Sequence, residues 1–352
     1  MTQDITSSQP DRACLPFAPA HRLSVAPMMD WTDRHCRYFH RLLAPKAALY
    51  TEMVTADAIR FGARDRLLNG HHMDKDKPDD NAIILQLGGA DPDALANAID
   101  LAESYDYAEY NLNVGCPSDR VQSGRFGAAL MADPVLVGEL VSAMCSATRR
   151  PVSVKCRLGI DDMDTEQTLD RFIDTVIGGG VDHMIIHARK AWLNGLSPKE
   201  NRDIPPLDYD RVFGLKTRLA ASADHVPISI NGGFADWDHI RLGLDHVDGV
   251  MIGRAAYQQP AKLAVWAAQV FDHEPVDGDT VMAAMADYAD AEIANGARLI
   301  SITRHMLGFA NGRKGARRWR RTLSEEARDP ASRGDLIRMA WDSLNQEHEE
   351  AA

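Results

Sequence analysis

The sequence predicts an α/β fold, a (β/α)8 TIM barrel with a C-terminal helical domain. Three observations carry this prediction. Short apolar runs recur up to about residue 271, each followed by a stretch with helical spacing. Distinctive polar residues sit at the carboxyl ends of the runs, where a barrel gathers them at one mouth and an open sheet disperses them. Beyond residue 271 the strand signal stops and only helical patterning remains.

The expected strands are Leu23–Pro27, Ala47–Thr51, Ala82–Leu87, Tyr107–Leu112, Val152–Cys156, His183–His187, Pro227–Ile230 and Gly249–Ile252. Their near-continuous apolar character suits a parallel sheet covered by helices outside and filled by side chains inside. Asp91-Pro92 and Asp133-Pro134 open two of the helices, and Thr165 is expected to cap a third with Leu169, Phe172, Ile173 and Val176 on its buried face. The distinctive residues at the strand ends are Met28 and the polar Gln86, Asn113, Lys155, His187, Asn231 and Arg254. Pro275 and Gly278 mark a linker. Helices are expected at Val281–Ala294, Ile300–Phe309, Arg317–Ala327 and Leu336–Leu344. The expected organisation is a tail over 1–19, the barrel over 20–271, the helical domain over 272–345 and a second tail over 346–352.

Composition narrows the function classes. No run approaches the ~18 apolar residues of a membrane span, and the first residues lack the regions of a secretion signal. The cysteines Cys14, Cys36, Cys116, Cys145 and Cys156 form no C-x-x-C pair, which favours a reducing cytoplasm over a disulfide framework. No compact His/Asp ligand set is apparent, so no metal site is expected. The net charge of -12 argues against a polyanionic partner, yet from Asn295 to Arg321 there is no acidic residue and many arginines. Interspersed apolar residues make that segment a folded basic surface rather than a charged tail.

Two glycine turns follow the last two strands: Asn231-Gly232-Gly233 and Gly253-Arg254. Such turns bring backbone N–H groups to an anion, and in these barrels the last two strand ends commonly hold a phosphate. Lys155 closes an apolar run and either escapes to solvent or points into the mouth as a cation. His187 reads as a ligand contact, with a satisfied structural histidine as the alternative. Cys116 lies in Gly115-Cys116-Pro117, where glycine and proline fix a loop at the mouth, whereas Cys36, Cys145 and Cys156 fit buried packing better.

Together with Ala26-Pro27-Met28-Met29-Asp30, Gln86-Leu87-Gly88, Asn111–Ser118, Lys155-Cys156-Arg157 and His187–Ala191, these motifs resemble the flavin-dependent tRNA-dihydrouridine synthases over residues 20–325. The His187–Ala191 segment is similar to the A-type branch, which acts on uridines 20 and 20a. The resemblance implies FMN held by Pro27, Met28, Met29, Gln86, Lys155, His187, Asn231, Gly232, Gly233, Gly253 and Arg254. It implies hydride delivery to C6 of uridine and a proton for C5 from the thiol of Cys116, with Asn113 orienting the base. Lys199, Arg202, Arg317 and Arg320, with Arg189 and Lys190, are the implied tRNA contacts, making the helical domain an RNA-binding one. The absence of a dinucleotide fingerprint suits NADPH as a visiting reductant. No obligatory protein partner is expected. Gly308–Gly315 is more basic than the family pattern, which leaves open whether it binds backbone or decorates a turn. Two other readings stand beside this one. An FMN-dependent ene-reductase of small metabolites leaves the basic helices unexplained, and a non-catalytic RNA-binding protein with a retained barrel leaves Cys116 without a purpose.

Overall fold

The computed structural model describes residues 15–68, 82–118, 124–221 and 225–349. Cys14 and most of the expected leading tail lie outside them, as do residues 350–352. The strands are β1 Leu23–Val25, β2 Ala48–Tyr50, β3 Val54–Thr55, β4 Ile83–Gly88, β5 Glu109–Val114, β6 Val152–Arg157, β7 His183–His187, β8 Ile228–Asn231 and β9 Gly249–Ile252. All pairings are parallel, in the order β2-β1-β9-β8-β7-β6-β5-β4-β3. Pairing of Leu49 with Ile83 and of Tyr50 with Ile84 joins β2 to β4 and closes an eight-stranded barrel. The short β3, which the sequence patterning did not signal, extends β4 at Leu87 and Gly88.

The expected strands all form, but several are displaced toward the mouth. The fourth run, expected over Tyr107–Leu112, is paired over Glu109–Val114, and β4 and β6 reach Gly88 and Arg157. Gln86, Asn113 and Lys155 therefore lie inside strands rather than beyond them. Because successive strand residues face opposite sides, the sets separate cleanly. Leu85, Leu87, Tyr110, Leu112, Val114, Val154, Cys156, Met184, Ile186, Ile230, Val250 and Ile252 join the core between sheet and helices. Inside the barrel, among the described residues, Ala26, Ala48, Tyr50, Ile84, Ile185 and Met251 form an apolar cluster. Most other inward positions are polar, Gly88 and Gly249 apart, so the interior is far less apolar than the runs suggested.

The helices obey local rules. Asp91 and Asp133 accept the N–H groups of Ala94 and Leu136 at helices opened by Pro92 and Pro134. Thr165 does not cap the helix Gln167–Gly178, which starts two residues later from Glu166 without a side-chain cap, although Leu169, Phe172, Ile173 and Val176 are buried as expected. Residues 15–18, assigned above to the tail, cover the closed end of the barrel. Phe17 packs against the rings of His21 and His183, with centroids 5.5 and 5.0 Å away.

A second apolar core joins the helices Gly278–Ala294, Leu299–Thr303, Ala316–Ser324 and Asp335–Glu349 to the barrel's first helix, Arg34–Leu43. Phe39, Leu43 and Ala264 pack there with Met285, Ile302, Met306, Trp319 and Trp341. The helix expected over Ile300–Phe309 ends at Thr303, and turns follow it. The last helix runs to Glu349, into the stretch expected to be the second tail. Polar contacts reinforce the junction: Arg304 donates to Asp33 and to the carbonyl of Asp30, both at 2.8 Å.

Candidate active site at the barrel mouth

β5 delivers Cys116. Two residues after the strand ends, the chain turns around the side chain of Asn113, whose Oδ1 accepts the N–H groups of Gly115 at 3.1 Å and Cys116 at 3.0 Å. The Cys116 carbonyl accepts the N–H of Ala128 at 2.9 Å, and Sγ lies 3.4 Å from Ser118 Oγ. The thiol is partly exposed. Cys36 and Cys156 are buried, and burial pushes the Cys156 thiol up to about 12. Cys145, expected to be buried, is only partly so and bonds the carbonyl of Gly180.

Below Cys116, Gln86 lies between two amides. Its Oε1 accepts Asn113 Nδ2 at 2.8 Å, and its Nε2 donates to Asn111 Oδ1 at 2.7 Å. Across the mouth, Lys155 Nζ donates to Asn231 Oδ1 at 3.0 Å, while Asn231 Nδ2 donates to the carbonyl of Met251 at 2.8 Å. The desolvation of Lys155, reinforced by the Arg157 charge, lowers its pKa to about 8. It points into the mouth, not out to solvent. Burial, then Arg157, Lys155, Arg189 and Arg202, hold His187 well below the usual imidazole range, so its ring is neutral at pH 7.

Patterning alone passed over Arg157 as a site residue. Buried at the end of β6, it donates to the carbonyls of Gly115 at 2.9 Å, Lys190 at 3.0 Å and Asn201 at 2.9 Å. One guanidinium thus ties the Cys116 loop to the long loop after β7. Its two-residue spacing from Lys155 was the available signal. Asn201, likewise buried, bonds the backbone of Trp192 in both directions and organises that long loop.

The loops after β8 and β9 form the opposite wall. Gly232 and Gly233 have φ of 122° and 76°, and a Cβ on Gly232 would lie 2.9 Å from the His187 ring. A side chain there would be strained and would displace the histidine. A Cβ on Gly253 would meet no protein atom within 4 Å, so that wall opens onto free space. Arg254 points a two-pronged ion pair at Asp203, at 2.5 and 3.2 Å. Buried Arg189 Nε has no hydrogen-bond partner among the described residues. A glycine cradle, two guanidinium groups and a buried lysine fit a cofactor carrying a phosphate and an electron-accepting ring.

Pro27 and Met28 are partly buried at the end of β1, and Met29 is 56% exposed beside them. Arg189 and Lys190 are half-buried in the loop after β7, which also carries exposed Lys199 and Arg202. Arg317 and Arg320 lie apart from the mouth loops in sequence, exposed with Arg318 and Arg321 on the helix Ala316–Ser324. Arg313 behaves differently from these arginines. Its guanidinium lies 4.8 Å from the Trp341 ring centre and donates to Asn345 at 2.8 Å, so this part of the basic stretch supports the second core.

One side-chain set was missed entirely. His21, Glu109 and His183 meet, buried, at the closed end of the barrel. Hydrogen bonds engage part of this set: Glu109 accepts from His21 Nε2 at 2.7 Å and from Ser153 Oγ, and His183 Nε2 lies 2.9 Å from Ser229 Oγ, while the buried Nδ1 atoms of His21 and His183 have no hydrogen-bond partner among the described residues. Among the described residues, no helix is long and apolar enough to cross a membrane.

Comparison with known proteins identifies the family. The family profile described as Dihydrouridine synthase (Dus) matches residues 24–344. A tRNA-dihydrouridine(20/20a) synthase of Salmonella typhimurium is 53% identical over 312 residues, covering 88% of this chain and 91% of its own length. The protein of that name from Escherichia coli is 51% identical over 325 residues, covering 92% and 90%. That from Xanthomonas axonopodis pv. citri is 47% identical over 324 residues, covering 92% and 94%. With a match of this extent over a barrel of this kind, the chain belongs to the dihydrouridine synthase family.

Proposed function

We propose that this protein is an FMN-dependent tRNA-dihydrouridine synthase that reduces the C5–C6 bond of uridines 20 and 20a in the tRNA D-loop, with NADPH as reductant. The relatives' shared name supports the substrate and position. The observation that carries the chemistry is a partly exposed thiol, Cys116, held at the barrel mouth by Asn113 and Arg157.

FMN, when bound, supplies the hydride that reaches C6 of the uridine. Arg254, Gly232, Gly233 and Gly253 would take its phosphate side. Lys155 and Asn231 would meet its ring, with Pro27, Met28 and Met29 along the first loop. Gln86 would support it from below. Saturation of C5–C6 leaves C5 in need of a proton, which a thiol presented at the mouth can donate. Cys116 holds that proton. A neutral His187 orients the base with Asn113, and its depressed pKa removes it as the acid. The cationic Lys155 balances the charge that accumulates at the mouth.

The uridine must leave its stack to enter, at a cost of a few kcal/mol that contacts elsewhere offset. Exposed Lys199, Arg202, Arg317 and Arg320 would supply them through phosphates, with Arg189 and Lys190 nearer the mouth. The test is direct. Flavin-loaded protein should bleach anaerobically with NADPH, recover its colour on addition of unmodified tRNA, and leave dihydrouridine at positions 20 and 20a. Recovery with small enones and none with tRNA would establish the ene-reductase instead.

A further inference from the structure

We propose that Glu109, Ser153 and Asn111, deep in the barrel, are positioning residues that set the orientation of the Cys116 loop through a one-directional hydrogen-bond relay. At its mouth end the inference rests on the functional reading above. Starting at the mouth, the N–H groups of Gly115 and Cys116 donate to Asn113 Oδ1, and Asn113 Nδ2 donates to Gln86 Oε1. Toward the floor, Gln86 Nε2 donates to Asn111 Oδ1, Asn111 Nδ2 to Ser153 Oγ at 2.8 Å, and the Ser153 hydroxyl to Glu109 Oε1.

The polarity of every link is dictated from both ends. Backbone N–H groups can only donate, so Asn113 must turn its oxygen toward the Cys116 loop. At the far end Asn111 Nδ2 can only donate, so Ser153 receives it with a lone pair and aims its hydroxyl at Glu109 Oε1. The two requirements agree, and each of the three amides between them has one orientation. Gln86 and Asn111 are essentially inaccessible, at 1% and 0%, so water cannot offer a reversed alternative. Bonds aligned in this way inside a low-dielectric barrel polarise one another. His21, bonded to the second oxygen of Glu109, anchors the terminus.

Two consequences reach the chemistry. The loop that presents the thiol is hung on an oxygen whose direction is fixed by a carboxylate four residues earlier on the same strand. Asn113 Nδ2 and Gln86 Nε2 each retain one hydrogen beyond the relay, so the floor of the mouth offers donors rather than carbonyls to the ring above it.

The relay predicts an effect that loss of packing alone does not. Ser153→Ala breaks it at one hydroxyl, Glu109→Gln exchanges a carboxylate for an amide that can also donate, and Ser229→Ala removes an inward-facing buried hydroxyl outside it. In flavin-loaded protein, Ser153→Ala should change the rate of Cys116 alkylation by iodoacetamide, followed by peptide mass spectrometry, by about tenfold. It should slow oxidation of the reduced flavin by tRNA by a similar factor, with NADPH reduction of the flavin unchanged, since misplacing a reacting group is what costs rate. Ser229→Ala should leave all three rates at the wild-type value. An unchanged alkylation rate in Ser153→Ala overturns the relay, as does an equal change in Ser229→Ala. If Glu109→Gln does not fold, Ser153→Ala decides alone. Should tRNA fail to oxidise even the wild-type reduced flavin, the functional reading falls, and alkylation still decides the relay.

Discussion

Two groups of cations in this molecule could hardly be placed more differently. Lys155 and Arg157 sit at the barrel mouth, where burial holds their pKa values down to about 8 and about 10. Arg317, Arg318, Arg320 and Arg321 stand exposed on one helix of the second unit. A buried cation is committed to particular atoms: Lys155 to Asn231, and Arg157 to three carbonyls. An exposed one keeps its charge available to any phosphate, and salt screens it. The barrel cations are therefore held by geometry, and the outer ones are the charges that the proposed function assigns to RNA phosphates. On that proposal an acidic protein would hold tRNA through positive charge that is concentrated rather than averaged.

The largest break in this division comes from the thiol that the buried cations surround. Cys116→Ser should retain FMN and its reduction by NADPH while losing roughly 10²–10⁴-fold in oxidation of the reduced flavin by tRNA. Rapid mixing of the pre-reduced variant with tRNA measures this, and an unchanged rate would remove Cys116 as the acid. Next comes the outer helix. Arg317→Ala with Arg320→Ala should weaken tRNA binding and lower the slope of log affinity against log salt by about 2, one for each phosphate left without its arginine. FMN affinity should stay the same. Equal slopes for variant and wild type would place the RNA elsewhere.

The buried lysine predicts a pH effect that the outer arginines should not show. With its pKa lowered to about 8, Lys155 is charged below that pH and loses its charge as pH rises through it. FMN affinity, followed by quenching of flavin fluorescence, should therefore fall as pH rises from 7 to 9, while Lys155→Gln should start weaker and stay flat over this range. A sloping profile in Lys155→Gln would assign the titration to another group. The smallest effect concerns Asp203, whose carboxylate engages Arg254 at the surface. Exposed pairs are worth about 0–1 kcal/mol. Asp203→Asn should free Arg254 and tighten FMN binding by no more than severalfold, and weaker binding would mean that Asp203 positions the arginine.

The barrel was legible because a parallel strand buried on both sides leaves a run of apolar residues that survives in one dimension. Eight runs with helical spacers identify it. The mouth was legible for a related reason, since polar residues such as Lys155 and Asn231 interrupt those runs near their ends. Strand ends were harder to read. β5 is displaced by two residues because Asn113 and Val114 still pair with Lys155 and Cys156, and no local signal announces a neighbour's register. Arg157 was quoted within a motif, but its three backbone partners lie on other loops. The polar floor of Glu109, His21 and His183 gave no local sign, since its members are far apart in the chain.

From the sequence alone came the repeating unit, the anion-friendly glycine turns, the placement of Cys116 in a restrained loop and the stretch from Asn295 to Arg321 that is rich in arginine and free of acidic residues. These are properties of periodicity and backbone freedom, which neighbouring residues dictate. Tertiary structure decided which polar side chains meet inside the barrel, how far each is desolvated, and that the first helix shares a core with the last. Those outcomes depend on ring closure, which brings Leu49 against Ile83 and sets every inward side chain against partners from distant strands. A hydrogen bond has a direction only once both of its ends are in place.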